Sequence, residues 1–254
     1  MRLNKYISHN SKYSRRDADK LIEAGDVRVN KKTMLDFGYD VQDGDIVSIK
    51  NRPIKPRKQG EVTVIVFNKP KGVLVTKKDD RGRATIYHKL PGKFRHFIPI
   101  GRLDYASEGL LLLTDAPEVA QKLMESSLPR TYNIKIDKPL NKDMIKAMEE
   151  GMILDDASAG AHEHSSITHM EFAPFAAFEF RGTTGKYTKL RVTITEGKNR
   201  ELRRFFAHFD ATVVDLKRVA FWEVELNNLP TGKTRYLSHK EYDMLHKFLK
   251  EKKR

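Results

Sequence analysis

The sequence contains no cysteine, and no purely apolar run is longer than Leu110–Leu113. Without cysteine there is no disulfide framework, thiolate zinc site or cysteine nucleophile, and zinc-dependent deamination of nucleobases in its usual form is excluded. A run of this length is far below the ~20 residues of a membrane-spanning helix. The N-terminal residues also lack the apolar core of a signal peptide, so we expect a folded, cytoplasmic protein.

Acidic residues are outnumbered by basic ones. Lys and Arg total 48 against 34 for Asp and Glu, which gives a formal net charge of +14. Such an excess argues for a polyanionic partner and leaves the fold open. Nucleic acid is the first candidate, and an anionic membrane surface is the second. The length of 254 residues and the 39% hydrophobic content allow one large domain or two moderate ones.

Residues 1–50 predict a small domain with two short helices followed by two short strands. Ser14, with Asp17 three residues later, predicts a capped second helix that ends at Gly25. Two short β-branched segments, at 27–29 and 46–49, predict the strands. Residues 50–60 contain two prolines, five cations and no acidic residue. They predict a basic linker at 51–60.

Four cations of this domain are candidates for contacts with phosphate. Arg15 and Arg16 open the second helix, where the helix dipole disfavours positive charge. A phosphate bound at that helix end would explain both residues, with Lys31 and Lys32 as neighbours. A solvated basic face is the alternative.

An arginine and a carboxylate, Arg102 and Asp104, stand two residues apart in a turn marked by Gly101. The apolar run that follows is short enough to be a buried strand, so Asp104 would be an exposed acid held by a rigid element, as in many active sites. An aspartate in a turn more often caps the turn or is solvated, and the residues alone leave that reading open.

The rest of 61–240 predicts alternating strands and helices. The segments 62–67 and 73–76 predict a hairpin, 130–136 predicts a strand that carries Tyr132, and helices are expected after Thr114 and before Gly151. A buried core residue is the simplest interpretation of Tyr132 on its own. Residues 241–254 predict a C-terminal helix with a basic tail.

A glycine turn at 197 separates a predicted strand, 190–195, from a basic amphipathic helix. Arg200, Arg203 and Arg204 lie within about one turn, so at least one faces the buried side, where an arginine needs a carboxylate or phosphate partner. We expect that partner to be Asp104.

Two other segments carry residues that resemble known sites. His162 and His164 flank Glu163 in a loop-like context, with His169 nearby, and we expect surface histidines and assign no metal. The Gly182–Lys186 segment is too short for a phosphate-cradling loop and predicts a turn between strands.

Three motifs in this order resemble the RsuA/RluB/RluE/RluF family of ribosomal RNA pseudouridine synthases. They are Gly101-Arg102-Leu103-Asp104 with 108–114, Arg130-Thr131-Tyr132, and the sequence from Glu196 to Arg204. The first 50 residues resemble the α-L RNA-binding domain of a small-subunit ribosomal protein and some tRNA synthetases. The Lys198-Asn199-Arg200 sequence and the basic C-terminal tail are most similar to the RluF-type large-subunit enzymes.

This resemblance implies an α+β fold. It would consist of the α-L RNA-binding domain and a catalytic domain at 61–240, built on a mixed, mostly antiparallel sheet with flanking helices. It also implies a monomer that acts on ribosomal RNA, 23S rather than 16S, either free or in an assembling subunit. The reaction is a redox-neutral isomerisation, so no cofactor or metal is implied.

The resemblance also implies roles for individual residues. Asp104 would act on the ribose of the target uridine, Tyr132 would stack on the extruded base, Arg203 would pair with Asp104, and Arg102 would fill the gap left in the base stack. The expected RNA-binding set is Arg102, Arg15, Arg16, Lys31, Lys32, Lys198, Arg200 and Arg204.

The sequence departs from the family pattern at two positions. Glu201 stands where the family often has Gln, and Phe206 stands where it often has Met. A carboxylate at 201 would be able to compete for the arginines. Two other functions stay open from the residues: a non-catalytic RNA-binding or ribosome-assembly protein, and a phosphodiesterase that uses Asp and His.

Overall fold

A computed structural model of the chain describes residues 1–11, 13–56, 62–162 and 165–250. The chain divides into two compact units, Met1–Thr63 and Val64–Arg254. Each unit has its own hydrophobic core, so each is built from its own residues below.

The first unit packs two helices against a small antiparallel sheet of four strands. Its elements are α1 (Leu3–Asn10), α2 (Arg15–Glu23), β1 (Val27–Val29), β2 (Lys32–Thr33), β3 (Val47–Ile49) and β4 (Arg52–Pro53), with strand order β2-β1-β3-β4. The predicted cap of α2 is confirmed, because Ser14 and Asp17 form a reciprocal capping box. Apolar residues from both helices and from β1 and β3 fill the core.

The sheet of the first unit extends further than the sequence predicts. The expected two strands are present as β1 and β3, and β2 and β4 add one short strand to each side. Because β4 pairs with β3, Arg52 and Pro53, which lie within the predicted linker, belong to the sheet. Residues 57–61 of the predicted linker lie outside the described residues.

The second unit begins with a buried strand and is organised around one large sheet. Its first elements are β5 (Val64–Lys69), α3 (Ile86–Lys89), a 3-10 turn (Gly92–Phe94), β6 (Ile98–Pro99), β7 (Glu108–Thr114), α4 (Pro117–Met124), β8 (Arg130–Ile136), α5 (Lys142–Glu150) and β9 (Met152–Leu154). Its later elements are β10 (Met170–Phe172), β11 (Ala177–Thr184), β12 (Tyr187–Ile194), α6 (Glu201–His208), β13 (Val213–Phe221), β14 (Val224–Glu225), β15 (Thr234–Tyr236) and α7 (His239–Lys250).

The large sheet has nine strands, with the order β11-β12-β8-β13-β7-β5-β15, while β14 pairs with β13 and β6 with β7. Strands β7 and β13 are parallel, and the other pairings given for this sheet are antiparallel. A second sheet consists of β9 and β10. The predicted α+β architecture with a mixed, mostly antiparallel sheet is confirmed.

Strand β7 lies inside the sheet, between β5 and β13. Its four leucines at 110–113 are all buried, as expected for a continuous apolar run covered on both faces. The turn that carries Asp104 leads directly into this strand. The site is therefore attached to one of the best-buried elements of the unit.

The predicted hairpin of 62–67 with 73–76 is wrong. Strand β5 pairs with β7 on one side and β15 on the other, so neither edge is free for a hairpin partner. Pro70 has no backbone N–H, and the N–H of Gly72 donates to the carbonyl of Tyr105 instead. Of the returning segment, Leu74 forms a single bridge with Thr85.

The C-terminal helix α7 is part of the second unit. The hydroxyl of Tyr242 accepts a hydrogen bond from the N–H of Val64 at 3.1 Å, and Lys122 of α4 donates to the carbonyls of Phe248 and Leu249 at 2.7 and 2.8 Å. A cation on the last carbonyls of a helix also complements the helix dipole. The four tail residues after Lys250 lie outside the described residues.

Candidate active site

A cleft of about 710 Å³ opens in the second unit, and the Asp104 turn forms one of its walls. The other walls come from β8, β12 and β13 and from the turn that precedes α6. The cleft brings together six residues selected from the sequence. They are Arg102, Asp104, Tyr132, Lys198, Arg200 and Arg203.

Two arginines face the Asp104 carboxylate. Oδ2 of Asp104 lies 3.5 Å from Nη1 of Arg200 and 3.7 Å from Nε of Arg203. The side chain of Asp104 is 34% exposed, so one side of the carboxylate is open to the cleft. The family resemblance implied the contact with Arg203. Arg200, which we expected on RNA, is the second counter-ion.

Arg203 is held from several directions. Its Nη1 donates to the carbonyl of Val213 at 2.8 Å and its Nη2 to Oγ of Ser107 at 3.2 Å. Burial lowers the pKa of Arg203, and nearby Arg200 lowers it further, while Asp104 acts in the opposite direction. An arginine with several fixed contacts orients the aspartate more firmly than a free surface cation would.

Lys69 holds the Asp104 turn through hydrogen bonds to its carbonyls, a role that we did not predict. Its ammonium group is fully buried and donates to the carbonyls of Pro70, Asp104 and Ser107 at 3.0, 3.1 and 2.8 Å. Burial lowers the pKa of Lys69 to about 8, opposed by the charges of Asp104 and Glu108. The sequence signal for this role was a lysine that follows the apolar run Val64–Phe67 at the end of the strand.

Tyr132 lies on the buried face of β8, is 8% exposed and lines the cleft. The alternation predicted for this strand is confirmed, because Tyr132, Ile134 and Ile136 are all buried. Arg130 precedes it and uses Nη1 to bind the carbonyls of Leu128 and Thr195 at 3.0 and 2.9 Å. These bonds tie the start of β8 to the end of β12.

Arg218 of β13 is a second buried arginine that the sequence analysis missed. It is 3% exposed, and its Nε donates to the carbonyl of Leu110 at 2.6 Å. It lines the cleft together with Arg130, and the guanidinium carbons of the two lie 5.9 and 5.0 Å from the ring centre of Phe221. These two arginines place further positive charge along the cleft wall.

Glu201 begins α6 and is 6% exposed. Its Oε2 accepts a hydrogen bond from the N–H of Lys198 at 2.9 Å, which closes the turn before the helix. Burial raises the pKa of Glu201 to about 7. The ion pairs given for Arg200 and Arg203 are with Asp104, so the expected competition by Glu201 is not what the geometry shows.

The prediction that Arg204 binds RNA is wrong, because its side chain is completely buried. Its guanidinium binds the carbonyls of Ala157 and Ile167, Oγ of Ser165 and the backbone and side chain of Asn199. The expectation that a buried arginine here needs a carboxylate or phosphate is also corrected. Several neutral oxygen acceptors take that place.

The other predicted RNA-binding residues have different environments. Lys198 makes an ion pair with Glu196 at 2.9 Å and donates to the carbonyl of Glu171, so its ammonium is partly engaged. Arg102 is exposed beside Asp104. In the first unit, the four predicted cations are all exposed, two at the start of α2, one between β1 and β2 and one at the start of β2. They are Arg15, Arg16, Lys31 and Lys32.

The histidine-rich segment provides no metal site among the described residues. His169 is 63% exposed and lies 3.5 Å from the carboxylate of Asp155, as expected for a surface histidine. Glu163 and His164 lie outside the described residues. The predicted turn between strands is present at 185–186, although Gly182 itself belongs to β11.

Comparison with known proteins identifies the family of this chain. Residues 63–208 match the family model described as RNA pseudouridylate synthase, and residues 1–47 match the S4 domain. The chain is 47% identical over 249 residues to an uncharacterized RNA pseudouridine synthase of Helicobacter pylori, covering 98% of this chain and 95% of that protein. The chain belongs to the RNA pseudouridylate synthase family.

Two further matches extend this result. The chain is 33% identical over 251 residues to the dual-specificity RNA pseudouridine synthase RluF of Escherichia coli, covering 98% of this chain and 79% of that protein. A crystal structure of a pseudouridylate synthase has the same fold, with a TM-score of 0.63 at 23% identity over 96% of this chain and 99% of that one. Among the described residues, no helix is long and apolar enough to cross a membrane.

Proposed function

We propose that this enzyme converts a uridine of ribosomal RNA, in the 23S molecule of the large subunit, into pseudouridine, with Asp104 as its catalytic carboxylate. The observation that carries the proposal is the position of Asp104. Its carboxylate lies between the guanidinium groups of Arg200 and Arg203 and keeps one side open to the cleft. The two cations fix its orientation and offset its charge.

The chemistry requires the target base to leave its stack. Extrusion costs a few kcal/mol, which contacts with the RNA must offset. Extruded bases are commonly held on aromatic faces, a role for Tyr132 at the cleft edge. We assign Arg102, an exposed residue two positions before Asp104, to the space that the base leaves in the stack.

Asp104 then acts on the ribose, either by attack on the anomeric carbon or by removal of the neighbouring ribose proton. The bond between ribose and uracil nitrogen breaks, the uracil turns, and a new bond forms from its carbon five. The proton on carbon five is lost, with Tyr132 as a candidate acceptor, and a nitrogen proton is gained. The reaction is therefore an isomerisation without net redox change.

The ribosomal RNA part of the proposal rests on three features. The S4 domain presents Arg15, Arg16, Lys31 and Lys32 on its surface, and the whole chain has a net charge of +14. The sequence 198–200 is most similar to the RluF-type large-subunit enzymes. We also propose that the enzyme works as a monomer in the cytoplasm, on RNA that is free or in an assembling subunit.

The test is Asp104→Asn, assayed by mapping pseudouridines in unmodified 23S and 16S transcripts. We expect the variant to lose isomerisation while its affinity for RNA stays within about threefold, because the side chain keeps its size and only its charge is removed. The matched control is Asp243→Asn on an exposed position of α7, which should behave as the wild type.

Other outcomes identify the alternatives. Full activity of Asp104→Asn would exclude the proposed role of this carboxylate. A wild-type protein that binds RNA and forms no pseudouridine, either in the transcripts or in the RNA of assembling subunits, would favour an RNA-binding or assembly function. Strand cleavage with metal dependence would indicate a phosphodiesterase, and modification of the 16S transcript alone would exclude the large-subunit assignment.

A further inference from the structure

The connection between β9 and β10 binds the first turn of α6 through four described residues, Ala157, Gly160, Ser165 and Ile167. We refer to these four residues as the clamp. We propose that the clamp is a positioning element that holds Arg200 against Asp104. This inference rests on the proposed role of Asp104 and assigns a task to a segment that the family motifs do not include.

The first contact joins the clamp directly to the site. Nε of Arg200 donates to the carbonyl of Gly160 at 2.7 Å, while Nη1 of the same guanidinium lies 3.5 Å from Oδ2 of Asp104. A guanidinium is planar and rigid, so fixing one nitrogen restricts where the others point. The carbonyl of Gly160 therefore sets the direction from which Arg200 approaches the carboxylate.

Arg200 also needs support because of its backbone. Arg200 is the residue before α6, and its φ is +52°. This value lies in the left-handed region of the backbone, which residues other than glycine rarely adopt. Such a conformation persists only where surrounding contacts impose it. The bond to Gly160 and the bond from the N–H of Arg204 to the carbonyl of Arg200 are two such contacts.

The second anchor is Arg204, one helical turn further on. Its buried guanidinium donates to the carbonyls of Ala157 and Ile167 and to Oγ of Ser165, the last two at 3.1 and 2.7 Å. A buried arginine without these acceptors would carry an unsatisfied charge. Arg204 is therefore fixed to the clamp, and its N–H in turn holds the carbonyl of Arg200, the residue before α6.

Gly160 makes this close approach possible. It has a φ of +70°, and a Cβ atom at this position would lie 2.4 Å from the carbonyl oxygen of Arg203 and 3.0 Å from Cβ of Ala207. No real Cβ approaches a backbone oxygen so closely, so any larger residue would push the clamp away from α6. Arg200 would then lose its hydrogen-bond acceptor.

The proposal is tested by comparing Gly160→Ala with Gly185→Ala on an unmodified 23S transcript. Gly185 has a similar φ of +59°, but a Cβ there meets no atom within 4 Å, so it controls for backbone strain alone. We expect Gly160→Ala to lower kcat by about tenfold or more with KM changed less than about threefold, since small misplacements of catalytic groups have such effects. Gly185→Ala should keep the wild-type kcat.

A double-mutant cycle separates positioning from general loss of structure. If the clamp acts through Arg200, Gly160→Ala should change kcat by less than about twofold when it is introduced into an Arg200→Ala background. An unchanged tenfold effect in that background would overturn the proposal, as would wild-type kcat in Gly160→Ala itself. Thermal unfolding of each variant confirms that the assays measure folded protein.

Two further measurements keep the outcome decisive. If Gly160→Ala does not fold, Ser165→Ala removes one acceptor of Arg204 without adding bulk, and it should lower kcat about twofold to fivefold with KM unchanged. Wild-type kcat in this variant would then overturn the proposal.

If the wild-type protein forms no pseudouridine, the proposed function fails separately, and a crystal structure of Gly160→Ala or Ser165→Ala judges the clamp. Arg200 moving away from Asp104 supports it, and an unchanged contact overturns it.

Discussion

Gly109 and Arg218 lie in direct backbone contact where the parallel strands β7 and β13 meet. They are paired in register, and a Cβ atom on Gly109 would lie 2.2 Å from the carbonyl oxygen and 2.8 Å from the nitrogen of Arg218. Gly109 has a φ of +105°, which glycine adopts readily and other residues do not. The strand that carries the Asp104 turn therefore joins β13 through a position that tolerates no side chain.

We predict that Gly109→Ala destabilises the second unit, because both the contact with Arg218 and the backbone conformation oppose a Cβ. The expected loss is about 2–4 kcal/mol in the free energy of unfolding, measured with urea. Gly82→Ala is the matched control, since Gly82 has a φ of +69° and open space around it. That variant should lose no more than about 1 kcal/mol. Equal losses in the two variants would contradict the prediction.

Glu201 makes a predictable contribution to pH dependence. Burial raises its pKa from 4.5 to about 7, so between these values the folded chain holds a proton that the unfolded chain has released. The folded state binds more protons in this interval, and its stability relative to the unfolded state falls as the pH rises. The stability that the protonated Glu201 contributes is therefore lost as the pH rises from 4.5 to about 7, and it is absent at higher pH.

We therefore predict that Glu201→Gln becomes more stable relative to the wild type as the pH increases from 5 to 8. The free energy of unfolding of the variant minus that of the wild type should rise by roughly 3 kcal/mol over this range. Glutamine keeps an oxygen acceptor for the N–H of Lys198, so the turn before α6 stays closed. Urea unfolding of both proteins at the two pH values measures this rise. A difference that is the same at pH 5 and pH 8 would show that Glu201 does not titrate in this way.

We predict that the double variant Arg15→Ala and Arg16→Ala weakens RNA binding and reduces its dependence on salt. Each lost phosphate contact should lower the slope of log affinity against log salt concentration by about one unit. The slope is measured from the affinity for a 23S transcript at salt concentrations from about 50 to about 200 mM. Lys142→Ala with Lys146→Ala on the exposed side of α5 removes the same charge as a control. Equal slopes in the two double variants would place Arg15 and Arg16 away from the RNA.

The sequence predicts the elements that depend on local pattern. The leucines at 110–113 indicate a buried strand, the alternation around Tyr132 gives a second, and Ser14 with Asp17 marks a helix start, all as found. These features are readable because one element determines each of them. The pairing of Asp104 with Arg203 was implied by the family resemblance, and the structure has the two side chains 3.7 Å apart.

Structural features that depend on contacts between distant segments of the chain could not be predicted from the sequence. The left-handed backbone of Arg200 and its bond to Gly160 require the β9–β10 connection to lie against α6, which no spacing in the sequence encodes. The hairpin at β5 was wrong because β7 and β15, both distant along the chain, pair with the two edges of β5. Lys69 and Arg218 were missed because burial of a cation depends on carbonyls from other segments.

The Asp104 turn is held by its carbonyl groups. Lys69 binds the carbonyls of Asp104 and Ser107, and the N–H of Gly72 binds that of Tyr105, while the side chains of Tyr105 and Ala106 are exposed. Every amino acid has a backbone carbonyl, so substitutions at positions 105 and 106 would keep the hydrogen bonds that hold the turn. Positions 105 and 106 can therefore vary in side chain without loosening the turn that carries Asp104.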